Sequence, residues 1–174
     1  MQAMACGLTG QLKEAETLLL QCLQMGDSPW WKYLCSPGTG SFKVLLSLGS
    51  IYARQSKFQE AIEVFIKAAK IPPSAELAIE HLAALQELST FSIESLLKSQ
   101  DLFNWRNIII IAQTYARMGK RKEVWECLDL LDELPAPDQQ EYSNRMIGMV
   151  GNLLLNVKRQ VSRHAPDHPI INHL

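Results

Sequence analysis

The sequence predicts an all-α fold, a right-handed superhelical array of antiparallel helix pairs with a further helix capping its C-terminal end. Apolar residues recur at three- and four-residue steps along most of the chain, which is the helical period. In addition, the LxxLGxxY motif at residues 45–52 returns 63 residues later, at residues 108–115, as IxxIAxxY. Self-similarity at a fixed spacing is typical of stacked helical repeats.

Length and composition fit one globular domain that folds without disulfides or metals. A chain of 174 residues buries roughly 70% of the surface that its unfolded form exposes. The hydrophobic share of 47% and the charged share of 20% exclude a disordered chain. With 17 Lys and Arg against 18 Asp and Glu, the charge balance gives no reason to expect nucleic acid or an anionic membrane as partner. The longest apolar run, residues 108–112, is far shorter than a membrane span.

Residues 42–75 carry the clearest unit. Beyond the LxxLGxxY motif, they place Ala61, Phe65, Ala68 and Pro73 at the positions that the tetratricopeptide repeat uses, so this segment resembles that family. The resemblance implies two antiparallel helices, near 42–54 and 58–71. Gly49 would let them approach closely, and Pro73 would end the second one.

Residues 1–26 resemble the remainder of an earlier repeat, because residues 10–22 repeat the spacing of residues 56–68. We expect one helix there, the second of its pair. Counting back by the 34-residue period starts that repeat about five residues before Met1. The segment is therefore interpreted as a truncated repeat, either cut from a longer chain or worn into an N-terminal cap.

An insertion separates these two units. Ala15 and Ala61 are 46 residues apart, about 12 more than one period, and the surplus falls in residues 27–41. Ser41 is expected to cap the helix that starts at Phe42. Trp30 and Trp31 either pack the insertion onto the repeats, which we favour, or form a possible contact loop for a neighbouring domain.

The rest of the chain is interpreted as an irregular continuation of the array. Helices are predicted near 75–88 and 92–100. The first is expected to bury an apolar stripe made of Leu77, Ile79, Leu82, Ala83, Leu85 and Leu88. The whole chain, 1–174, is treated as one domain. Its segments are a truncated repeat (1–26), an insertion loop (27–41), a clear repeat (42–75), a degenerate short repeat (76–104), a third repeat (105–137), a capping helix (138–163) and an extended tail (164–174).

No motif for catalysis or for a cofactor emerges. The chain lacks a nucleophile elbow and a phosphate loop, since the Gly-Thr-Gly at residues 38–40 has no third glycine and no preceding strand. The four cysteines (Cys6, Cys22, Cys35 and Cys127) show neither CxxC spacing nor a compact framework, so we expect reduced thiols and a cytoplasmic location. No enzyme activity and no cofactor are expected in this chain.

Histidines are the remaining candidates for metal binding. His164, His168 and His173 crowd into the last eleven residues, but prolines break any helix there and no helical ligand pair forms. We therefore favour a solvated tail over a metal site. His81, within an apolar helix, is expected to be partly buried.

One surface is a candidate for partner binding. In stacked tetratricopeptide repeats the first helix of each pair lines a concave groove, so its inward-facing positions meet the ligand. We expect these positions to bind an extended acidic peptide or another domain, with arginines as carboxylate donors and two aliphatic residues as anchors; a solvated charged face is the alternative. The predicted groove residues are Lys43, Leu46, Ser50 and Arg54 in the clear repeat, and Arg106, Ile109, Gln113 and Arg117 in the third.

A second resemblance concerns the insertion. Its Gly26-Asp27-Ser28-Pro29 turn, the Pro37-to-Phe42 turn and the helix motif at residues 45–52 follow each other as in the C-terminal repeat region of bacterial glycosyltransferases that contain tetratricopeptide repeats. This resemblance implies an accessory module beside a sugar-transfer domain, whose Asp-x-Asp motif is missing from this chain. The alternatives are a stand-alone adaptor or chaperone that binds a protein or peptide, and, third, a cryptic enzyme.

Overall fold

The structure, a computed structural model, describes residues 11–27, 38, 40–132, 134, 143–148, 150–151 and 155. These residues form helices and turns, with no strand among them. The predicted all-α class is therefore confirmed for the described chain. The helices are α1 (Leu12–Met25), α2 (Phe42–Arg54), α3 (Phe58–Ala69), a 3₁₀ turn (Pro72–Ser74), α4 (Ala75–Leu85), α5 (Ile93–Ser99), α6 (Trp105–Met118) and α7 (Arg121–Asp132), and residues 143–148 are also helical.

The chain divides into two compact units, Met1–Leu102 and Phe103–Leu174. In the first unit, α1 packs against α2, α2 against α3, and α3 against α4. In the second unit, α6 and α7 pack against each other.

Helices α2 and α3 form the clear pair, and they begin where the sequence predicts. Helix α3 ends at Ala69 rather than near residue 71, because Pro72 has no N–H to continue the helical hydrogen bonds. The chain then makes the 3₁₀ turn, in which the buried Ser74 hydroxyl donates to the Ala68 carbonyl at 2.7 Å. The Ile71 N–H also donates to this carbonyl, at 3.1 Å, so the two bonds together replace the helical donor that Pro72 lacks.

The same turn joins the two helices of each clear pair. The Lys57 N–H donates to the Tyr52 carbonyl at 2.9 Å, and the Lys120 N–H donates to the Tyr115 carbonyl at 2.9 Å. Each lysine also lies over the ring of its tyrosine, with Nζ 5.3 Å and 5.6 Å from the ring centroid. The self-similarity in the sequence is therefore also a similarity of backbone and side-chain geometry.

The degenerate unit departs from its prediction. Helix α4 stops at Leu85, and residues 86–88 form a turn. Leu77 and Leu88 are exposed, so their assignment to the buried stripe was wrong. The other four residues of the predicted stripe are buried, and with Ala78 they make the core face of α4: Ala78, Ile79, Leu82, Ala83 and Leu85.

The loop before α2 is organised by Asp27. Its Oδ1 accepts from the Gly40 N–H at 2.7 Å, and its Oδ2 accepts from the Ser41 hydroxyl at 2.5 Å. Ser41 precedes α2 as predicted, but its side chain makes no capping hydrogen bond, because it is held by Asp27 instead. Trp30 and Trp31 and most of the insertion lie outside the described residues, as do the tail from 164 and its histidines.

Candidate peptide-binding face

The four predicted groove residues of α2 lie along one stripe of that helix, at three- and four-residue steps. Lys43 and Arg54 are exposed near its two ends, and Leu46 and Ser50 are half-buried between them. The Ser50 hydroxyl donates to the Leu46 carbonyl at 3.0 Å. The stripe thus presents a cation at each end and an aliphatic side chain between them.

Helix α4 contacts α2, and the repeat register makes it the equivalent helix of the next unit. We use the name α2–α4 face for the α2 stripe together with the residues that this register assigns to the same positions, Leu77, Glu80 and Leu88. Adding the tetratricopeptide period of about 34 residues to Lys43 and Arg54 leads to Leu77 and Leu88, which are 51% and 62% exposed. The same step leads from Leu46 to the half-buried Glu80. Two large apolar side chains therefore stand in solvent at the positions equivalent to the α2 cations.

The exposure of these two leucines was not predicted from the sequence. The apolar spacing over residues 75–88 predicts one buried helical stripe, but α4 ends at Leu85 and Leu88 lies in the turn after it. The long-range signal was available, because the 34-residue step from the clear repeat assigns both residues to the face of the predicted groove.

The charges along this face are unevenly placed. Lys43 lies beside Phe42, with its Nζ 5.9 Å from the ring centroid, and its positive charge helps to lower the pKa of the nearby Asp27 carboxyl. The hydrogen bonds from Ser41 and Gly40 lower that pKa more strongly. On the α4 side, Glu80 and Glu87 carry negative charge. The α2 half of the face is therefore cationic, and the α4 half is apolar with carboxylates at its margin.

The equivalent stripe of α6 is placed differently. Ile109 is completely buried (0% exposed), so the prediction of an open apolar anchor there does not fit its position. The Gln113 Nε2 donates to the Arg145 carbonyl at 2.9 Å. A Cβ added to Gly148 would lie 3.6 Å from the same Nε2, so the 143–148 helical segment lies close to this side of α6.

The two cations of the α6 stripe remain at the surface. Arg106 lies over the Trp105 ring, 5.7 Å from its centroid, and the Arg117 Nη2 donates to the Thr114 hydroxyl at 3.2 Å. Ile109 and Gln113 lie between these two arginines in the sequence, but Ile109 is buried and Gln113 is hydrogen-bonded to Arg145. The α6 stripe therefore has no exposed apolar residue at its centre, unlike the α2–α4 face.

The titratable groups in the described interior are poorly suited to catalysis. Burial raises the pKa of the Cys127 thiol to about 12 and also raises that of the Tyr115 hydroxyl. His81 lies outside the interior: its side chain is exposed, although it was predicted to be partly buried. Its ring stacks on Phe65 with 4.8 Å between ring centroids, and desolvation on that side lowers its pKa. Among the described residues, no group of three His, Cys, Asp or Glu is placed to hold a metal ion.

Comparison with known protein families identifies part of the first unit. Residues 42–74 match the family model described as Tetratricopeptide repeat, and they comprise α2, α3 and the 3₁₀ turn. Repeats of this family commonly mediate protein–protein interactions and are generally non-catalytic. No curated protein and no solved structure matches the chain. None of the described helices has both the length and the apolar character to cross a membrane.

Proposed function

We propose that the chain is a non-catalytic interaction module, and that the α2–α4 face of its first unit binds an extended peptide. The observation that carries the proposal is the exposure of Leu77 and Leu88 at positions one repeat beyond Lys43 and Arg54. These leucines are not part of the protein core, so their apolar side chains are available for contact with a ligand.

The dimensions of the face indicate the kind of ligand. Lys43 and Arg54 are eleven residues apart on α2, which is about 16 Å along the helix axis. An extended peptide rises about 3.3 Å per residue, so carboxylates about five residues apart reach both cations. Arginine binds carboxylates through two parallel hydrogen bonds, and lysine adds a point charge.

The α4 side selects apolar side chains. Covering Leu77 and Leu88 removes apolar surface from water at about 25 cal/mol per Å². Glu80 and Glu87 disfavour further carboxylates on this side. The preferred ligand therefore presents two carboxylates toward α2 and apolar side chains toward α4.

Fluorescence anisotropy with labelled ten-residue peptides tests the proposal. The acidic peptide carries two Glu five residues apart with Leu between them, and its partner carries Lys in place of Glu. We expect the acidic peptide to bind wild type, and Lys43→Glu/Arg54→Glu to weaken it at least tenfold. Lys13→Glu/Lys67→Glu, with the same charge change on the exposed surfaces of α1 and α3, is the matched control.

A Leu77→Ser/Leu88→Ser variant tests the apolar half separately. It should weaken the acidic peptide while leaving the salt dependence of binding unchanged, because the charged contacts remain. No binding of the acidic peptide up to 1 mM, or equal loss in the control variant, would count against the proposal.

An association with a sugar-transfer domain is a second proposal, and the Gly26-to-Phe42 junction alone supports it. In the structure, Asp27 of that junction accepts hydrogen bonds from Gly40 and Ser41. These bonds give the junction residues a structural role, which is to stabilise the loop before α2. Reading the genomic frame upstream of Met1 tests the association. A nucleotide-sugar domain in that frame would support it, and an immediate stop codon would refute it. A cytoplasmic location is a separate proposal, and it rests on the four cysteines, which show neither CxxC spacing nor a compact framework.

A further inference from the structure

Helix α7 exposes a large aromatic side chain, Trp125, on its outer face. Trp125 is 66% exposed, although Ile62, its equivalent 63 residues earlier in α3, is only 6% exposed. Helix α3 packs against α4, which follows it through a short turn. The position that is buried in the clear repeat, at Ile62, is therefore exposed to solvent on α7, at Trp125.

The charges on this face are arranged symmetrically about Trp125. Arg121 lies one turn before the tryptophan and Asp129 one turn after it, and all three are exposed. Lys122 pairs with Glu126 at 3.3 Å and Lys120 with Glu123 at 3.6 Å. Arg121 and Asp129 make no ion pair within the described part of the chain.

This order of charges is unfavourable for the isolated helix. A helix macrodipole favours acidic residues in the first turn and basic residues in the last. Helix α7 begins with Arg121 and Lys122, which outnumber the one acidic residue of its first turn, Glu123, and it has no basic residue in its last turn. Arg121 and Asp129 thus contribute little to the stability of their own helix. Ion pairs with another protein chain would account for their placement.

We propose that α7 pairs with α7 of a second copy of this chain, antiparallel, about a two-fold axis at Trp125. In such a pair residue 121 lies opposite residue 129 of the other copy, so two ion pairs of opposite charge form at once. The two tryptophans meet at the centre, where aromatic and arginine residues contribute most to interfaces. Such a self-complementary surface is what a two-fold dimer requires.

The expected dimer is weak and depends on concentration. One helix face per copy buries less than the roughly 800 Å² per partner of a standard interface. We expect a dissociation constant on the order of tens of micromolar, which falls within the range that sedimentation equilibrium measures. The α2–α4 face belongs to the other unit, so peptide binding should survive loss of the dimer.

Charge exchange between the copies tests the pairing. Arg121→Asp and Asp129→Arg each place like charges opposite each other, and each should raise the dissociation constant at least tenfold. Their equimolar mixture restores both ion pairs in the heterodimer, and the double variant Arg121→Asp/Asp129→Arg restores them in the homodimer. Both should associate like wild type.

Two further variants complete the experiment. Trp125→Ala should raise the dissociation constant at least tenfold, and Lys13→Asp on α1 should leave it unchanged. Circular dichroism confirms that each variant is helical, which these exposed sites permit. A wild-type monomer at 500 μM, a dimer that persists in all variants, or a mixture no more associated than its components would each overturn the proposal.

Discussion

The ring of Phe65 in α3 lies directly against the backbone of Gly49 in α2. A Cβ built on Gly49 would stand 2.6 Å from Cε1 of Phe65, inside van der Waals contact. His81 of α4 stacks on the same phenylalanine ring. The ring therefore contacts both α2 and α4, and the spacing of the clear helix pair depends on the absence of one methyl group.

Replacing Gly49 with alanine should destabilise the chain, although alanine is the better helix former by about 1 kcal/mol. The ring that the new methyl would meet is buried and cannot move freely, and overpacking of this kind typically costs about 1–3 kcal/mol. We expect a net loss of about 1 kcal/mol in the free energy of unfolding, measured by urea denaturation. Ser47→Ala, on the same helix, should be close to neutral; a Gly49→Ala variant as stable as this control would show that the contact is loose.

The turns after α2 and α6 provide a matched pair of substitutions. Ser56 has a φ of 60°, and the equivalent Gly119 has a φ of 79°. The left-handed region is costly for residues with a Cβ. Ser56→Gly should therefore stabilise the chain by about 0.5 kcal/mol, and Gly119→Ser should destabilise it by about 1 kcal/mol. Thermal unfolding of both variants measures the difference; shifts of the same sign would contradict the account.

Asp27 should make stability depend on pH in the acid range. The hydrogen bonds from Ser41 and Gly40 hold its pKa below the ordinary value of 3.8. The folded state thus favours the carboxylate, so this stabilisation is complete above that value and is lost as the pH falls through the lower folded pKa. Asp27→Asn should lower the urea midpoint at pH 7, because its amide nitrogen cannot accept from Ser41, and the difference from wild type should shrink toward pH 3.

Glu16 is the control for that experiment. A hydrogen bond from Lys57 lowers its pKa, and the two side chains lie 2.9 Å apart. Glu16→Gln should therefore show the same sign of pH dependence, beginning nearer the ordinary glutamate value. A gap between wild type and Asp27→Asn that stays constant from pH 7 to pH 3 would mean that the stabilisation of the loop before α2 does not depend on the carboxylate charge.

Cys127 should be chemically inert in the folded chain. Burial raises its pKa to about 12, so at pH 8 only roughly one thiol in 10⁴ is ionised, and the thiolate is the reactive form. Iodoacetamide labelling followed by peptide mapping should modify Cys127 only when urea unfolds the chain. Rapid labelling under native conditions would show that α7 opens readily.

The sequence predicted correctly those helices for which the local apolar pattern and the repeat spacing indicate the same boundaries. Helices α2 and α3 are marked by period, glycine and proline together, and their observed starts match the prediction. The position of Leu77 could not be read from its own helix, because an apolar residue at helical spacing fits a core and a binding face equally well. Only the neighbouring repeat distinguishes the two.

Other features depend on contacts between residues distant in the sequence. The residues next to Asp27 in the sequence do not predict that its carboxylate accepts hydrogen bonds from Gly40 and Ser41 across the loop. The burial of Ile109 likewise follows from packing within the second unit, including the approach of residues 143–148 to Gln113. The repeat register by itself predicts that α2 and α6 present equivalent binding surfaces, because it does not include these contacts.

The most direct test of the proposed function is a charge swap across the α2–α4 face, read by fluorescence anisotropy at low salt. Wild type should bind the acidic peptide and not its Lys-containing counterpart. The Lys43→Glu/Arg54→Glu variant should reverse that preference and bind the basic peptide at least tenfold more tightly than the acidic one. If both proteins show the same preference, the ligand lies elsewhere on the chain and the account of this face is contradicted.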